Sequence, residues 1–305
     1  MSGFFSPKKK GVQVGVDFMP TGVAVAVVSR SKQDAGAILH GEFLPAVGAS
    51  EQTRVLQNWV DQRGMKNAEC VCLIGRHDVQ LFQLDKPAVE ESELLAAVSW
   101  KIKDLINYDL SAAVVDTFEM PTSSKRPVQQ VNAVVANENV VGGYVESIRT
   151  CGLRLTAIDV HELVVRNLVK LSVAAEQTVA LLLMLSDEGL LSIFHDQDLH
   201  VTRDFKVGCA AIEAAGEEAE EVYDKVLLEL QRSMDYFESS YGMGAVQQMM
   251  VFPRLSSTEK MAAYLQNYVG YDLDFIDPAP RDSAGGGFPA ECFSAYCAAL
   301  RGVAA

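Results

Sequence analysis

Two runs of alternating valines, Val12-Gln-Val-Gly-Val-Asp17 and Val23-Ala-Val-Ala-Val-Val28, lie close together in this chain, with Pro20-Thr-Gly22 between them. Alternation with a period of two is the mark of a strand with one apolar face, and so short a break leaves room for little but a hairpin. The chain therefore opens on two antiparallel strands with an acidic residue, Asp17, near the turn. Phe18-Met19-Pro20 makes the approach to that turn bulky, and Pro20 has no amide hydrogen to offer. By itself such a hairpin reads as a pair of core strands.

The segments after the hairpin lack the regular strand-helix alternation of a dinucleotide-binding fold. Ala37 to Leu44 reads as a third strand. Glu51 to Arg63 reads as an amphipathic helix with Val55, Leu56, Trp59 and Val60 on its apolar side, stopped by Gly64. Glu69 to Ile74 is a buried strand. Residues 79–152 read as an inserted small αβ domain: strand Val79 to Leu84, helix Glu90 to Leu105, strands Val114 to Met120 and Val131 to Ala136 around the turn-rich Pro121 to Pro127, and helix Glu138 to Cys151. Strand Leu153 to Ile158 and helix Val160 to Leu171 return to the first lobe.

A second lobe opens on the apolar run Val179 to Leu185 and continues through Leu190 to His195 and Leu199 to Phe205, a meander like the first. A long helix from about Glu217 to Tyr241 comes next, with Val222, Val226, Leu230, Met234 and Phe237 on one face. Its acidic start suits the positive end of the helix dipole. Strand Met249 to Phe252, helix Ser257 to Val269, strand Asp272 to Ile276, a flexible loop over 278–287 and helix Pro289 to Leu300 complete the chain. The expected division is a flexible N-terminus (1–11), a first lobe (12–78 and 153–176), the inserted domain (79–152) and a second lobe (177–305). Two lobes that each begin with a meander suggest an internal duplication.

Forty acidic against 26 basic residues, a formal charge of −14, disfavour general nucleic-acid binding, which needs a dense basic face. Proteins are the better partners. Val179 to Leu185 is far shorter than the roughly 20 residues a membrane-spanning helix needs. Lys8-Lys-Lys10 after Phe4-Phe5, with no apolar stretch behind it, does not make a signal peptide, so a cytoplasmic location is expected. That basic cluster is expected to be a disordered tail. The six cysteines, at 70, 72, 151, 209, 292 and 297, lack zinc-site spacing and read as reduced core thiols. His195 and His200 flank Asp196-Gln-Asp198 and read as the end of a polar hairpin rather than a metal site.

The order and spacing of several segments resemble the PilM family of type IV pilus assembly proteins, and within it the MshI branch serving the MSHA pilus. These are Gly15-Val-Asp17, Leu84-Asp-Lys-Pro87, Trp100-Lys-Ile-Lys-Asp-Leu105, Cys151-Gly-Leu153, Ile158-Asp159, Val201-Thr-Arg-Asp-Phe205, Leu228 to Phe237 and Tyr296 to Arg301. The resemblance covers nearly the whole chain. It implies an actin-like ATPase fold of the FtsA and PilM type: α/β, two-lobed, with an inserted small αβ domain. It also implies a cytoplasmic platform, peripheral to the inner membrane, that captures the cytoplasmic tail of a PilN- or MshJ-like bitopic membrane protein. The pilus assembly ATPase machinery stays open as a further partner. In such folds an extended tail lies between the inserted domain and the first lobe, which makes Phe82, Trp100 and Tyr108 candidate contacts, although each as an apolar residue reads first as core.

The family also implies ATP and Mg²⁺, and here the sequence departs from the pattern. In the first hairpin Asp17 and Thr21 are the remnants of a phosphate grip. The second acidic turn falls near Leu183-Met184-Leu185, with Asp187 and Gly189 as candidate replacements, and a Gly-Gly loop is replaced by Phe252-Pro-Arg-Leu-Ser-Ser257. Lost carboxylates remove the charge that holds Mg²⁺ and orients water, so a non-catalytic scaffold with an empty or weakly used cleft is expected. The alternatives are an active ATPase with Asp17, Thr21 and Asp187 around Mg-ATP, and a carbohydrate-kinase-type relative. The latter needs a catalytic acid, for which Asp159 is the candidate; that residue reads instead as the cap of the following helix.

Overall fold

The computed structural model describes residues 11–123, 125, 127–173, 176–278 and 288–303. The basic segment Phe4 to Lys10 and most of the loop expected over 278–287 lie outside them. The chain falls into two compact units, Met1–Glu119, Val131–Leu171 and Pro278–Ala305 forming the first and Met120–Gln130 with Ser172–Asp277 the second.

In the first unit, β1 (Val12–Met19) and β2 (Gly22–Ser29) pair antiparallel from Val12 opposite Ser29 to Met19 opposite Gly22, leaving Pro20 and Thr21 as a two-residue turn. β3 (Ile38–Pro45) adds to β2. α1 (Ala49–Arg63) ends where Gly64 takes the left-handed conformation, and β4 (Glu69–Leu73) returns parallel to β1. Val12, Val14, Val16, Val23, Val25 and Val27 form one face, packed with Leu56, Trp59 and Val60 of α1 and with Cys70 and Cys72.

The inserted segment comprises β5 (Val79–Asp85), α2 (Glu91–Ile102), β6 (Ala113–Glu119), β7 (Gln130–Asn137) and α3 (Glu138–Thr150). Its three strands run in the order β5-β7-β6. Leu94, Val98 and Ile102 of α2 pack on Val131, Ala133 and Val135 of β7. β8 (Arg154–Asp159) then joins β4 in parallel and leads into α4 (His161–Ser172). The β6–β7 connection groups with the second unit, where Ser123 Oγ donates to the Ser240 carbonyl (3.0 Å) and Lys125 Nζ to that of Glu238 (3.2 Å).

The second unit is built on β9 (Thr178–Met184), β10 (Gly189–His195) and β11 (Asp198–Phe205), then α5 (Cys209–Ala215), α6 (Ala219–Tyr241), β12 (Gln248–Phe252), α7 (Ser256–Leu265) and β13 (Asp272–Phe275). The five-stranded sheets run β3-β2-β1-β4-β8 and β11-β10-β9-β12-β13. In each, the first three strands form an antiparallel meander, the fourth joins the first in parallel and the fifth joins the fourth in parallel. The sheets are therefore one topology used twice.

The last helix differs from the expected division. α8 (Phe293–Ala299) was expected in the second lobe, but it packs on β1, β2 and β4 of the first sheet. The reason lies in small residues: by strand alternation Gly15, Ala24 and Ala26 share the face opposite the valines, and α8 offers Ala295, Ala298 and Ala299. A long helix was expected from Glu217, but the structure has α5 ahead of it and starts α6 at Ala219. All six cysteines are buried and free; burial pushes the thiols of Cys151 and Cys209 up to about 11 and that of Cys292 to about 12.

Candidate functional site

β1, β4 and β8 are parallel, and their register puts Asp17 beside Leu73 and Leu73 beside Asp159. Two carboxylates thus stand in one row at the carboxyl ends of parallel strands, the edge where open α/β sheets bind ligands. Both are engaged within the chain. His161, the first residue of α4, places Nε2 2.9 Å from Asp17 Oδ2, with Asp17 3% and His161 8% exposed. Burial works against the charged imidazole, but the Asp17 carboxylate and its hydrogen bond outweigh it, so the His161 pKa is raised. Asp159 Oδ1 accepts from the Val160 amide at 2.9 Å, and its Oδ2 is bonded by the Arg301 guanidinium. That ties Asp159 to the amide of Val160, the residue before α4, and to Arg301 after α8; both bonds lie outside α4, whereas the helix cap expected of Asp159 would accept from an amide of the helix itself. Glu162 pairs at 3.5 Å with Arg76, from the segment after β4.

The turn beyond Asp17 is held from below. Gln52 of α1, nearly buried, donates Nε2 to the Met19 carbonyl at 2.6 Å and to that of Gly22 at 3.4 Å. Ala46 donates its amide to the Thr21 carbonyl at 3.1 Å. Phe18 meets Tyr144 edge to face at 5.8 Å, and the Tyr144 hydroxyl donates to Asp78 and accepts from the Gly75 amide. Asp17 and Thr21 therefore lie on one hairpin but differ in setting: the acid is buried and the threonine sits exposed in the turn.

Asp187 and Gly189 belong to the equivalent hairpin of the second unit. The last β9 residue in register with β12 is Leu183, opposite Phe252, which is the place Asp17 holds in the first sheet. Asp187 is exposed in the β9–β10 turn. Gly189 is a packing residue, since an added Cβ would lie 2.2 Å from the Phe205 ring. The turn's carbonyls are taken by the start of α5: Cys209 donates to Leu185 at 2.8 Å and Ala210 to Ser186 at 2.9 Å. Gly208 lets these segments meet, its Cβ position lying 2.3 Å from the Ser186 oxygen. The loop Phe252 to Ser257 is closed by Thr258, whose hydroxyl donates to the Pro253 carbonyl (2.7 Å) and accepts from the Leu255 amide (2.9 Å).

His161, Gln52 and α5 were not singled out in the sequence. The first could have been found from the short step Asp159-Val-His161 between a strand and a helix, had the strand order been known.

The three partner candidates separate. Phe82 is partly buried and packs against the α2 and β7 core of the inserted segment. Trp100 is 69% exposed on α2, with Lys103 Nζ 5.1 Å from its ring centre. Tyr108, after α2, is half-buried, and burial raises its hydroxyl pKa. Leu95 and Leu105 are also exposed on and just after α2.

In the second unit His195 and His200 meet edge to face at 5.9 Å. Thr178 Oγ1 lies 2.8 Å from His195 Nδ1, and His200 Nδ1 donates to the Asp198 carbonyl at 2.9 Å. Among the described residues no group of three His, Cys, Asp or Glu side chains is arranged to hold a metal ion.

The sequence matches no protein-family profile and no curated protein. Its structure is similar to a chain of the PilM–PilN type IV pilus biogenesis complex, with a TM-score of 0.71 over 96% of this chain and 99% of that one at 17% identity. It is similar to the cytoplasmic domain of EpsL, an inner membrane component of the type II secretion system of Vibrio cholerae (TM-score 0.51, 80% and 84% covered, 13% identity). A Bacteroides thetaiotaomicron protein with an actin-like ATPase fold and unknown function also matches (TM-score 0.52, 91% and 95% covered, 10% identity). The chain has the actin-like ATPase fold.

Proposed function

We propose that this chain is a scaffold of a type IV pilus assembly platform, of the MSHA type and the MshI branch, that binds the cytoplasmic tail of a PilN- or MshJ-like bitopic membrane protein and does not turn over ATP. The observation that carries this reading is the likeness to a chain of the PilM–PilN complex across nearly the full length of both. The EpsL neighbour, named as the cytoplasmic domain of an inner membrane component, supports a place at the cytoplasmic face of that membrane. Among the described residues no helix is long and apolar enough to cross a membrane, and in this reading the partner supplies the anchor.

The inserted sheet suits an extended tail. β6 stands at the end of the strand order, with β7 on one side, and carries the exposed Val114. A strand added there gains main-chain hydrogen bonds, while α2, which packs beside β6, offers the Trp100 ring.

Mg-ATP, which the fold implies, does not fit the residues present. A divalent cation needs open carboxylate oxygens and phosphate needs free amide hydrogens. Asp17 is buried against His161, Leu183 stands in its place in the second sheet, and Pro20 contributes no amide hydrogen, which leaves Thr21 alone to supply one within the first turn. Calorimetry with the partner's tail peptide tests the proposal. Binding that weakens in Trp100→Ala, with no phosphate release from ATP above a blank, is expected. Failure of the tail to bind, or Mg-dependent phosphate release that stops in Asp17→Ala, overturns it.

A further inference from the structure

We infer that His161 takes the place of a divalent cation in this chain: its imidazole is the partner of Asp17, and the strand-end site of the first unit binds no metal. The inference rests on the non-hydrolytic reading above and says which residue closes the site.

Asp17 and Asp159 stand at the same level on β1 and β8, one strand apart on either side of Leu73. Neighbouring strands are about 4.8 Å apart, so the two Cα atoms are within about 10 Å, a span that a metal with its water shell can bridge. Each carboxylate is instead met by a nitrogen of the chain. His161 Nε2 sits 2.9 Å from Asp17 Oδ2, and Arg301 with the Val160 amide takes both oxygens of Asp159. Magnesium demands near-octahedral oxygen ligands at about 2.1 Å. An ion that close to Asp17 Oδ2 would have the imidazole nitrogen in its first coordination shell or would have to displace it.

Displacing it is difficult. His161 and Asp17 are both nearly buried, so the imidazole would have to leave a closed contact to make way. The residues on each side fix the helix start: Asp159 binds the Val160 amide and the Arg301 guanidinium, and Glu162 holds Arg76. α4 therefore begins from a clamped position, and its first side chain is aimed at β1. The surrounding charged groups are Asp17 on β1, Arg76 after β4, Asp159 on β8, Glu162 on α4 and Arg301 after α8; each acid among them already faces a nitrogen of the chain. The second sheet has no counterpart to this pair, because Leu183 holds the equivalent place.

Mn²⁺ is the probe, followed by the loss of its free-ion paramagnetic signal on titration with the full chain. The wild type and Asp17→Asn are expected to respond alike, since the His161 imidazole holds Asp17 Oδ2 and both side chains are nearly buried. His161→Ala uncovers the carboxylate and is expected to bind Mn²⁺ at least about tenfold more tightly than the wild type, a gain lost in the double variant with Asp17→Asn. A wild-type site that disappears in Asp17→Asn overturns the inference, and so does a folded His161→Ala that gains nothing. If His161→Ala does not fold, His161→Asn takes its place, being too short to hold the same contact, and the wild-type comparison with Asp17→Asn decides by itself. Tail binding on the same samples separates the two readings. A Mn²⁺ site dependent on Asp17 with tail binding intact sinks this inference alone, whereas loss of tail binding without such a site sinks the scaffold alone.

Discussion

Gly15 and Ala295 meet backbone to backbone: a methyl group on Gly15 would lie 1.7 Å from the Ala295 carbonyl oxygen and 2.9 Å from the Ala299 amide nitrogen. Neither atom is the end of a flexible side chain, so relief requires α8 to lift from β1. Gly15→Ala is therefore expected to lower the unfolding free energy by about 3 kcal/mol, the upper end of the overpacking range, as read by urea denaturation. A change below about 1 kcal/mol would mean that α8 is not seated there.

Phe82 and Trp100 sit on opposite sides of the inserted layer's energetics. Phe82→Ala removes core contacts with α2 and is expected to destabilise by about 2 kcal/mol. Trp100→Ala is expected to change stability by less than about 0.5 kcal/mol, because the ring is exposed, while weakening tail binding. Thermal unfolding of both variants checks the contrast.

The two buried histidines give opposite pH dependence. His161 has a raised pKa, so its contribution is fully present below the unfolded value of about 6.5 and is lost as pH rises through the folded value. Asp17→Asn should remove that loss. His200 has a lowered pKa, chiefly from burial against Tyr241 and Phe237, so its contribution is present above about 6.5 and is lost as pH falls through the folded value. His200→Phe should flatten the acid limb. Urea midpoints from pH 5 to 8.5 measure both, and a wild-type curve unchanged by either substitution would count against the assignment.

Gly242 ends α6 at a φ of 64°, and an added Cβ there would lie 2.8 Å from Lys125 Cε. Gly242→Ala is expected to cost about 1 kcal/mol from the left-handed backbone, and only the added crowding against Lys125, not that backbone cost, is relieved in Lys125→Ala. A double-mutant cycle reads the coupling.

The elements that the sequence made plain are those with long unbroken patterns. β1 and β2 alternate over enough residues to leave one reading, and Gly64 marks the end of α1 through its left-handed cap. α5 was hidden because a seven-residue helix between Gly208 and Gly216 shows only two turns, with Cys209 and Ile212 as its buried residues. α8 is legible as a helix but not as a partner of the first sheet, since small residues such as Ala295 and Ala299 do not say which surface they fit. Among the site residues, Asp17 was legible as an acid at a strand end. Its partner was not, because His161 is 144 residues away and becomes a neighbour through the β1-β4-β8 order alone. Phe82 and Trp100 look alike as aromatic residues; the alternation of β5 and the turn of α2 that separate them are too short to fix a face.

The seat of α8 on β1 also sets an order of events during synthesis. Gln13 donates its side-chain amide to the Arg301 carbonyl across 288 residues, and the glycine-alanine face of the first sheet is covered by the last helix of the described chain. While that helix is still within the ribosome, β1 and β2 have one uncovered apolar face, although the second sheet can already close on its own helices. Long-range contacts of this kind slow folding and leave intermediates prone to association. Strands made early are thus finished late, when α8 arrives to cover them.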